Sequence, residues 1–209
     1  RLLLALAAYH KLSLDQVDVT SAYTQATIDD VDIWVEPPRG YEEYDSDGRS
    51  KVLKLKRALY GSQQSGRCWQ MELRKFLMSP QMGFTCSVLD PCMFVLREGS
   101  DTLIIGCYVD DCICAHSSRK LFDKFLKKFQ ARFNSTHLGK LSWFLNMAID
   151  QDASYRITFH QQKYIEDLAK KFLPGGDAST IYRDTPCIPD KFNQIGKSES
   201  EHDRAEMAG

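Results

Sequence analysis

The sequence predicts an α+β fold in which an antiparallel sheet is backed by helices. Segments with strand character are interspersed with segments whose apolar residues recur at helical spacing, and a three-strand meander lies between two of the helices. Such a mixed order of elements favours one antiparallel sheet with helices packed on it. The 209 residues are 43% hydrophobic and 26% charged, which is an ordinary globular composition for one large or two small domains.

The first part of the chain is expected to hold one short helix and three strands. The apolar stretch RLLLALAAYH predicts the helix, and LDQVDV predicts a strand because its apolar residues alternate. Further strands are expected at IWVEPPRGY, where Pro37 and Pro38 end the strand, and at KVLKLK with its alternating lysines. The polar segment TSAYTQATIDDVD is expected to be rich in turns.

Three amphipathic helices are predicted from apolar residues spaced three or four positions apart. One begins at Ser65 and ends near Pro80 and Gly83, and Ser117 is expected to cap the next. The last occupies QQKYIEDLAKKF, after a hairpin formed by LSWFLNMAID and YRITFH. The residues expected to face inward are Trp69, Leu73, Phe76, Leu77, Leu121, Phe122, Phe125, Phe129, Tyr164, Ile165, Leu168 and Phe172.

Two adjacent aspartates interrupt the most apolar part of the chain. The segment CMFVLREGSDTLIIGCYVDDCICAH predicts three strands, with Asp110 and Asp111 at or near the second turn. A buried carboxylate without a partner is costly, so a surface turn, a nearby Arg or Lys, or a bound cation must relieve its charge. Because side chains alternate along a strand, the two aspartates can serve one site only at a bend.

A third carboxylate, Asp18, lies near the end of a separate predicted strand. If that strand neighbours the one that follows the paired aspartates, three carboxylates converge and offer the hard oxygen ligands that suit Mg²⁺. Two such ions stabilise the attacking and leaving oxygens of a phosphoryl transfer. From the residues alone, a solvated turn stays open as an alternative to a metal site.

Charge, hydropathy and cysteine content narrow the function classes. The formal net charge is −1, so a site for a polyanion would have to be a local basic face. No apolar run is long enough to cross a bilayer, and RLLLALAAY is interpreted as a buried helix rather than a signal peptide. The 7 cysteines include no CxxC pair, which favours free thiols in a reducing compartment over disulfides or a zinc site.

Five stretches resemble, in the same order, blocks of the reverse transcriptases of Ty1/copia-type LTR retrotransposons. They are QVDVTSAYTQATIDDVDIWVEPPRGY, VLKLKRALYGSQQSGRCW, YVDDCICAH, FNSTHLGKLSWFLNMAI and FHQQKYIEDLAKKF, with Thr185-Pro186 following the last. The likeness covers the chain from Arg1 to about Pro186. The sequence departs from the family pattern at Ser65-Gly66, where Ala-Pro is usual, and at Asn146, where glycine is common.

The resemblance implies an RNA-directed DNA polymerase, a nucleotidyltransferase of the transferase class that takes part in retrotransposition and DNA integration. Its fold would be a palm-type antiparallel sheet with an incomplete fingers region. Asp18, Asp110 and Asp111 would be the catalytic carboxylates, and together with the carbonyl of Val19 they would hold two Mg²⁺ ions. The primer 3′-hydroxyl would then attack a dNTP and release pyrophosphate.

The resemblance also assigns a nucleotide-binding site. Tyr23 would exclude a 2′-hydroxyl by leaving no space for it, Gln64 would lie beside the incoming nucleotide, and Arg67 would contact phosphate. A core position for Tyr23 and a helix-surface position for Arg67 are the alternatives. Trp143 and Phe144 would lie near the primer strand or, equally, in the core.

The organisation and setting implied by the resemblance are those of a polyprotein segment. Residues 1–174 would form a partial reverse transcriptase domain, palm with part of the fingers and leading toward the thumb, and residues 175–209 an irregular polar tail or connection. The partners would be an RNA template with a DNA primer, dNTP, and the integrase and RNase H segments, with no membrane. The location would be cytoplasmic virus-like particles, with the nucleus second. The alternatives to an active enzyme are a catalytically inactive retroelement remnant lacking the upstream fingers and an unrelated α+β metal-binding domain.

Overall fold

The computed structural model describes residues 1–28 and 31–172. Contacts divide the chain into two units, Arg1–His160 and Gln161–Gly209. The second unit is described through one helix, in which no residue is buried, so the expected inward face of Tyr164, Ile165, Leu168 and Phe172 is not observed. The predicted tail at 175–209 lies outside the described residues.

The described residues form helices, strands and one short 3-10 helix at Ala22–Gln25. The α-helices are α1 (Leu2–Tyr9), α2 (Ser65–Leu77), α3 (Arg119–Arg132) and α4 (Gln162–Phe172). The strands are β1 (Ser13–Val19), β2 (Trp34–Val35), β3 (Leu53–Lys54), β4 (Thr85–Cys86), β5 (Met93–Glu98), β6 (Asp101–Tyr108), β7 (Asp111–His116), β8 (Ser135–Lys140), β9 (Trp143–Phe144), β10 (Met147–Gln151) and β11 (Ile157–His160). None of the described helices has the length and apolar character required to span a membrane.

A six-stranded sheet organises the first unit, with the strand order β4-β5-β6-β7-β1-β8. Every neighbouring pair in it is antiparallel, so the predicted antiparallel sheet is confirmed. A three-stranded sheet of order β11-β10-β9 and a two-stranded sheet of β2 and β3 accompany it. Strand β1 therefore lies in the interior of the large sheet, between the meander strand β7 and the edge strand β8.

The two faces of the large sheet are covered by different helices, because alternate residues of each strand point to opposite sides. One face packs against α2 and α3, where Val17 and Cys112 join a cluster that includes Trp69 and Phe122. The other face packs in part against α1, where Leu14 and neighbouring apolar residues form a second cluster with the residues of that helix. The predicted inward stripes of α2 and α3 are thus confirmed.

Helix α1 approaches the sheet most closely at Gly106. A Cβ atom placed on this glycine would lie 2.7 Å from Cδ1 of Leu3, which is too short for an undisturbed contact. The missing side chain at Gly106 therefore allows Leu3, which is buried, to rest directly on strand β6. This contact holds α1 close against the sheet.

Besides the exposed face of α4, three details differ from the sequence-based expectations. Strand β8 was not predicted, because its residues are polar and only alternately half-buried at a sheet edge. Helix α3 is capped by Ser118 and not, as the sequence predicts, by Ser117. Ser118 Oγ accepts a hydrogen bond from the amide of Leu121, and Ser117 Oγ accepts one from the amide of Thr102. The strands predicted around Trp34 and Leu53 are only two residues long.

Candidate functional site

Asp18 and Asp111 lie directly opposite each other on neighbouring strands. Strands β1 and β7 pair antiparallel in a register that makes Asp18 the Cα partner of Asp111. Residues paired in this way project their side chains to the same face of the sheet. The pairing therefore places two carboxylates side by side, although 93 positions separate them in the sequence.

Asp110 lies on the tight turn between β6 and β7. Tyr108 pairs with Asp111, so Val109 and Asp110 alone form the turn, as the sequence predicted for a bend at the paired aspartates. The amide of Val19 donates a hydrogen bond of 2.8 Å to the carbonyl oxygen of Asp110. This bond ties the turn to the end of β1 and brings the third carboxylate toward the other two.

The turn is held in a strained backbone conformation. Val109 has φ 54°, a left-handed value that is unfavourable for a β-branched residue. The indole Nε1 of Trp69 donates a hydrogen bond of 2.8 Å to the Val109 carbonyl oxygen. Trp69 thus links helix α2 to the turn. We attribute the stability of the strained Val109 conformation to this hydrogen bond.

Neighbouring side chains hold the carboxylates in place. Gln16 Nε2 donates a hydrogen bond of 3.1 Å to Asp111 Oδ1, and the Tyr60 hydroxyl donates one of 3.0 Å to Asp110 Oδ2. Burial and the hydrogen bond to Asp110 raise the pKa of Tyr60, so the phenol stays protonated as a donor. These contacts fix one oxygen of Asp111 and one oxygen of Asp110.

The site concentrates negative charge. Partial burial, and then the charges of Asp111 and Asp110, raise the pKa of Asp18 above its usual value. The part of the shift caused by Asp111 and Asp110 reflects repulsion between their charges and that of Asp18. A cation bound among them would remove this cost.

The polar atoms around the three aspartates bear on whether a divalent cation could bind there. Oδ1 of Asp110 is buried and has no hydrogen-bond partner in the described part of the chain. Within residues 1–28 and 31–172, however, no group of three or more His, Cys, Asp or Glu forms a ready arrangement for a metal ion. Mg²⁺ bound here would therefore need further oxygen ligands from water and substrate, which this ion commonly takes.

Tyr23 is linked to the carboxylates by Tyr60, whose ring packs against Tyr23 and whose hydroxyl is bonded to Asp110. The two rings are 4.5 Å apart between centroids and tilted by 36°. Tyr23 also lines a cavity of ≈ 240 Å³ beneath the turn, together with Gly66 and Trp69. Tyr23 is half-buried, and its ring packs on the core cluster while it also borders this cavity.

Gln64 and Arg67 occupy a different place. Both are exposed at the start of α2 and line a cavity of ≈ 430 Å³ that also includes Thr27 and Lys75. The structure thus groups Tyr23 with the aspartates and groups Gln64 with Arg67. Of the two aromatic residues considered for the primer strand, Phe144 is buried in the core and Trp143 is 39% exposed.

The start of α2 shows how the chain accommodates its departure from the family pattern. Ser65 is buried, and its hydroxyl donates a hydrogen bond of 2.6 Å to the carbonyl of Leu59 and lies 2.5 Å from Ser62 Oγ. These bonds fix the first residue of the helix, next to Gly66, where the family pattern has proline.

Three supporting residues were missed by the sequence-based reasoning: Gln16, Tyr60 and Trp69. Gln16 could have been found from strand periodicity, because it lies two residues before Asp18 and so on the same face. Tyr60 and Trp69 lie within the block KLKRALYGSQQSGRCW, but nothing in that block indicates which carboxylate or turn they contact.

A second charged group, centred on Asp15, anchors β1 on the opposite face of the sheet. Asp15 is 2% exposed and accepts hydrogen bonds from His116 on β7, His137 on β8 and Arg119 on α3, at 2.7–3.2 Å. Burial alone would raise its pKa, but the hydrogen bonds of the two histidines and Arg119, with the arginine charge, lower the pKa of Asp15 to about 2. This group joins β1, β7, β8 and α3.

Comparison with known proteins agrees with the predicted resemblance. Residues 1–186 match the family model described as "Reverse transcriptase (RNA-dependent DNA polymerase)". The chain is 32% identical over 168 residues to the "Retrovirus-related Pol polyprotein from transposon RE1" of Arabidopsis thaliana, covering 80% of this chain and 11% of the relative. It is 31% identical over 174 residues to the corresponding polyprotein of transposon TNT 1-94 from Nicotiana tabacum, covering 82% and 13%.

More distant matches include the "Transposon Ty1-BL Gag-Pol polyprotein" of Saccharomyces cerevisiae, with 25% identity and coverage of 93% of this chain and 10% of the relative. Among solved structures, apo telomerase from Candida tropicalis matches with 13% identity and a TM-score of 0.37, covering 76% of this chain and 38% of that chain. That TM-score is too low to carry an argument. The chain spans about a tenth of the length of the polyproteins it matches. The extent of the family match nonetheless shows that this chain belongs to the reverse transcriptase family of RNA-dependent DNA polymerases.

Proposed function

We propose that this chain is the nucleotidyl-transfer centre of an RNA-directed DNA polymerase, which joins a dNTP to the 3′-hydroxyl of a primer. The single observation that carries the proposal is the β1–β7 register, which sets Asp18 opposite Asp111 beside the turn that holds Asp110. The six-stranded sheet is then the polymerase palm, with part of the fingers before it and the thumb following. Membership of the reverse transcriptase family supports this assignment.

The residues proposed to hold two Mg²⁺ ions are Asp18, Asp110, Asp111 and the carbonyl of Val19. The unpartnered, buried Oδ1 of Asp110 and the raised pKa of Asp18 support this assignment, because both costs are relieved by a bound cation. Bound magnesium would stabilise the charge on the attacking and leaving oxygens of the transfer.

The role proposed for the protein groups around the carboxylates is orientation. Gln16 holds one oxygen of Asp111 and Tyr60 holds one oxygen of Asp110, which limits how far each carboxylate can turn. Preset geometry of this kind lowers the reorganisation needed when the primer hydroxyl and the nucleotide meet.

The proposed nucleotide-binding residues are Tyr23, Gln64 and Arg67. The ring of Tyr23 is braced against Tyr60, which is itself bonded to Asp110, so a sugar bound beside the carboxylates would meet a fixed aromatic edge. Such a steric limit favours a 2′-deoxy sugar. Gln64 and the exposed guanidinium of Arg67 border their own cavity and are proposed to contact the base and phosphate side of the nucleotide.

The proposed partners are an RNA template paired with a DNA primer, dNTP, and the other segments of a Pol polyprotein, including integrase and RNase H. The names of the relatives, which are Pol and Gag-Pol polyproteins, support this setting. Cytoplasmic virus-like particles, and the nucleus as a second location, are proposed on the same ground.

Primer extension on an RNA template tests the proposal. The purified chain and a longer chain extended upstream are supplied with dNTPs and Mg²⁺, each beside an Asp110→Asn variant. The matched control is Asp123→Asn, which removes an exposed carboxylate on α3. We expect Mg²⁺-dependent extension that Asp110→Asn abolishes and the control leaves unchanged. Extension that survives Asp110→Asn contradicts the assigned role, and no extension by either chain favours the inactive remnant.

A further inference from the structure

Two cysteines form the base of the turn that carries the paired aspartates. Cys107 on β6 is the Cα partner of Cys112 on β7, directly beneath the Tyr108–Asp111 pair that closes the turn. Their Sγ atoms are 3.3 Å apart. The sequence alone singled out neither residue, because all the cysteines were expected to be unremarkable free thiols, and the six described ones are indeed free.

The backbone around these cysteines suits a cross-strand bond. The amide of Cys107 donates to the carbonyl of Cys92, at 3.0 Å, and therefore points away from β7. Cys107 and Cys112 are thus a non-hydrogen-bonded pair, the kind in which the Cα atoms are about 4.5 Å apart and the side chains lie closest. That spacing lies within the range that a disulfide requires.

The two thiols differ in their access to solvent. Cys107 is half-buried and lines the ≈ 240 Å³ cavity beneath the turn, whereas Cys112 is buried behind it. A small reagent that enters the cavity therefore meets Cys107 first. The hydrogen bond with Cys112 and burial hold the pKa of Cys107 well above its usual range, so we expect the reaction to be slow.

We propose that Cys107 and Cys112 are a reversible oxidation site, at which hydrogen peroxide forms a disulfide that locks the β6–β7 turn. The sulfur of Cys107 attacks one peroxide oxygen, the O–O bond breaks, and the products are a sulfenic acid and one water. The sulfur of Cys112 then displaces the sulfenic oxygen, which leaves as a second water. In total, two S–H bonds are lost, one S–S bond forms, and peroxide takes up two electrons and two protons.

The disulfide alters the site above it. The sulfur atoms must move from 3.3 Å to the bonded distance of about 2 Å, which shifts the side chains and cross-links the two strands immediately below Asp110 and Asp111. A displacement of about 1 Å near reacting groups can lower a rate by up to about a hundredfold. This consequence rests on the proposed polymerase function, whereas formation of the bond does not.

Peptide mapping of the 209-residue chain tests the bond directly. The reduced chain is treated with hydrogen peroxide, alkylated and digested with trypsin, which releases residues 98–119 as one peptide containing Cys107, Cys112 and Cys114. We expect this peptide to lose two hydrogens and to carry a single alkyl group, on Cys114. Cleavage before Asp110 with endoproteinase Asp-N should then leave two fragments joined until they are reduced.

Matched variants decide the pairing. Cys114→Ser should preserve the link, and Cys107→Ser should abolish it, with circular dichroism confirming that each variant is folded. Alkylation of Cys112 in the oxidised chain, or a link from Cys107 to Cys92 or Cys114 instead, overturns the proposal.

Primer extension tests the effect on the site. We expect oxidation to lower extension at least tenfold, dithiothreitol to restore it, and Cys112→Ser to be insensitive to oxidation. A formed link with unchanged extension refutes the locking of the turn. If the reduced chain shows no extension, the proposed function fails, and the mass of the peptide still decides whether the bond forms.

Discussion

Replacing Asp15 with asparagine is expected to reduce stability by an amount that depends on pH. Asp15 is 2% exposed and accepts hydrogen bonds from two histidines and from both terminal nitrogens of Arg119. The Asp15→Asn side chain keeps nearly the same shape but carries no charge. It therefore resembles the protonated form of the native residue, in which the favourable interaction with Arg119 is weakened.

The size of the expected stability loss follows from the lowered pKa of Asp15. The partners lower the pKa of Asp15 from 3.8 to about 2, and each unit corresponds to about 1.4 kcal/mol, so the charged form contributes about 2 kcal/mol. Because the folded-state pKa is the lower one, this contribution is complete above about pH 4. It is lost as the pH falls toward about 2, where the folded protein also takes up the proton.

Urea unfolding monitored by circular dichroism measures this effect between pH 3 and pH 7. We expect Asp15→Asn to lower the free energy of unfolding by about 2 kcal/mol at neutral pH, and the difference from the native chain to narrow below about pH 4. Asp123→Asn, at an exposed position on α3, should have little effect at any pH. A difference for Asp15→Asn that stays constant down to pH 3, or that is absent at neutral pH, would refute the reasoning.

Three further substitutions test the packing around the site. Gly66→Ala should raise the free energy of unfolding by up to about 1 kcal/mol, since the new Cβ meets no atom closer than 3.7 Å; destabilisation would show that glycine is needed there. Gly106→Ala should cost about 1–3 kcal/mol by overpacking against Leu3, and less in a Leu3→Ala background, so an equal cost in both backgrounds would contradict the contact. Trp69→Phe should cost about 1–3 kcal/mol by leaving the Val109 carbonyl without its donor, and unchanged urea stability would contradict that role.

Much of the local structure could be predicted because it depends on local patterns. The apolar stripe of α3 follows from Leu121, Phe122, Phe125 and Phe129 at helical spacing, and all four are buried. The turn at Asp110 follows from the apolar strand segments on both sides of the paired aspartates. Strand β8 could not be predicted in the same way, since a polar edge strand carries no hydrophobic alternation and forms only because β1 offers it a partner.

The amino-acid order by itself determined the helices, the strand meander, the turn at the paired aspartates and the likeness to reverse transcriptases, all of which depend on neighbouring residues or on recognisable blocks. Only the tertiary structure decided that β1 pairs with β7, and hence that Asp18 faces Asp111. It alone decided that Tyr60 bonds to Asp110 and that Asp15 binds three cationic or imidazole partners. These contacts join residues far apart in the chain, and their register is set by the packing of the whole sheet rather than by any local periodicity.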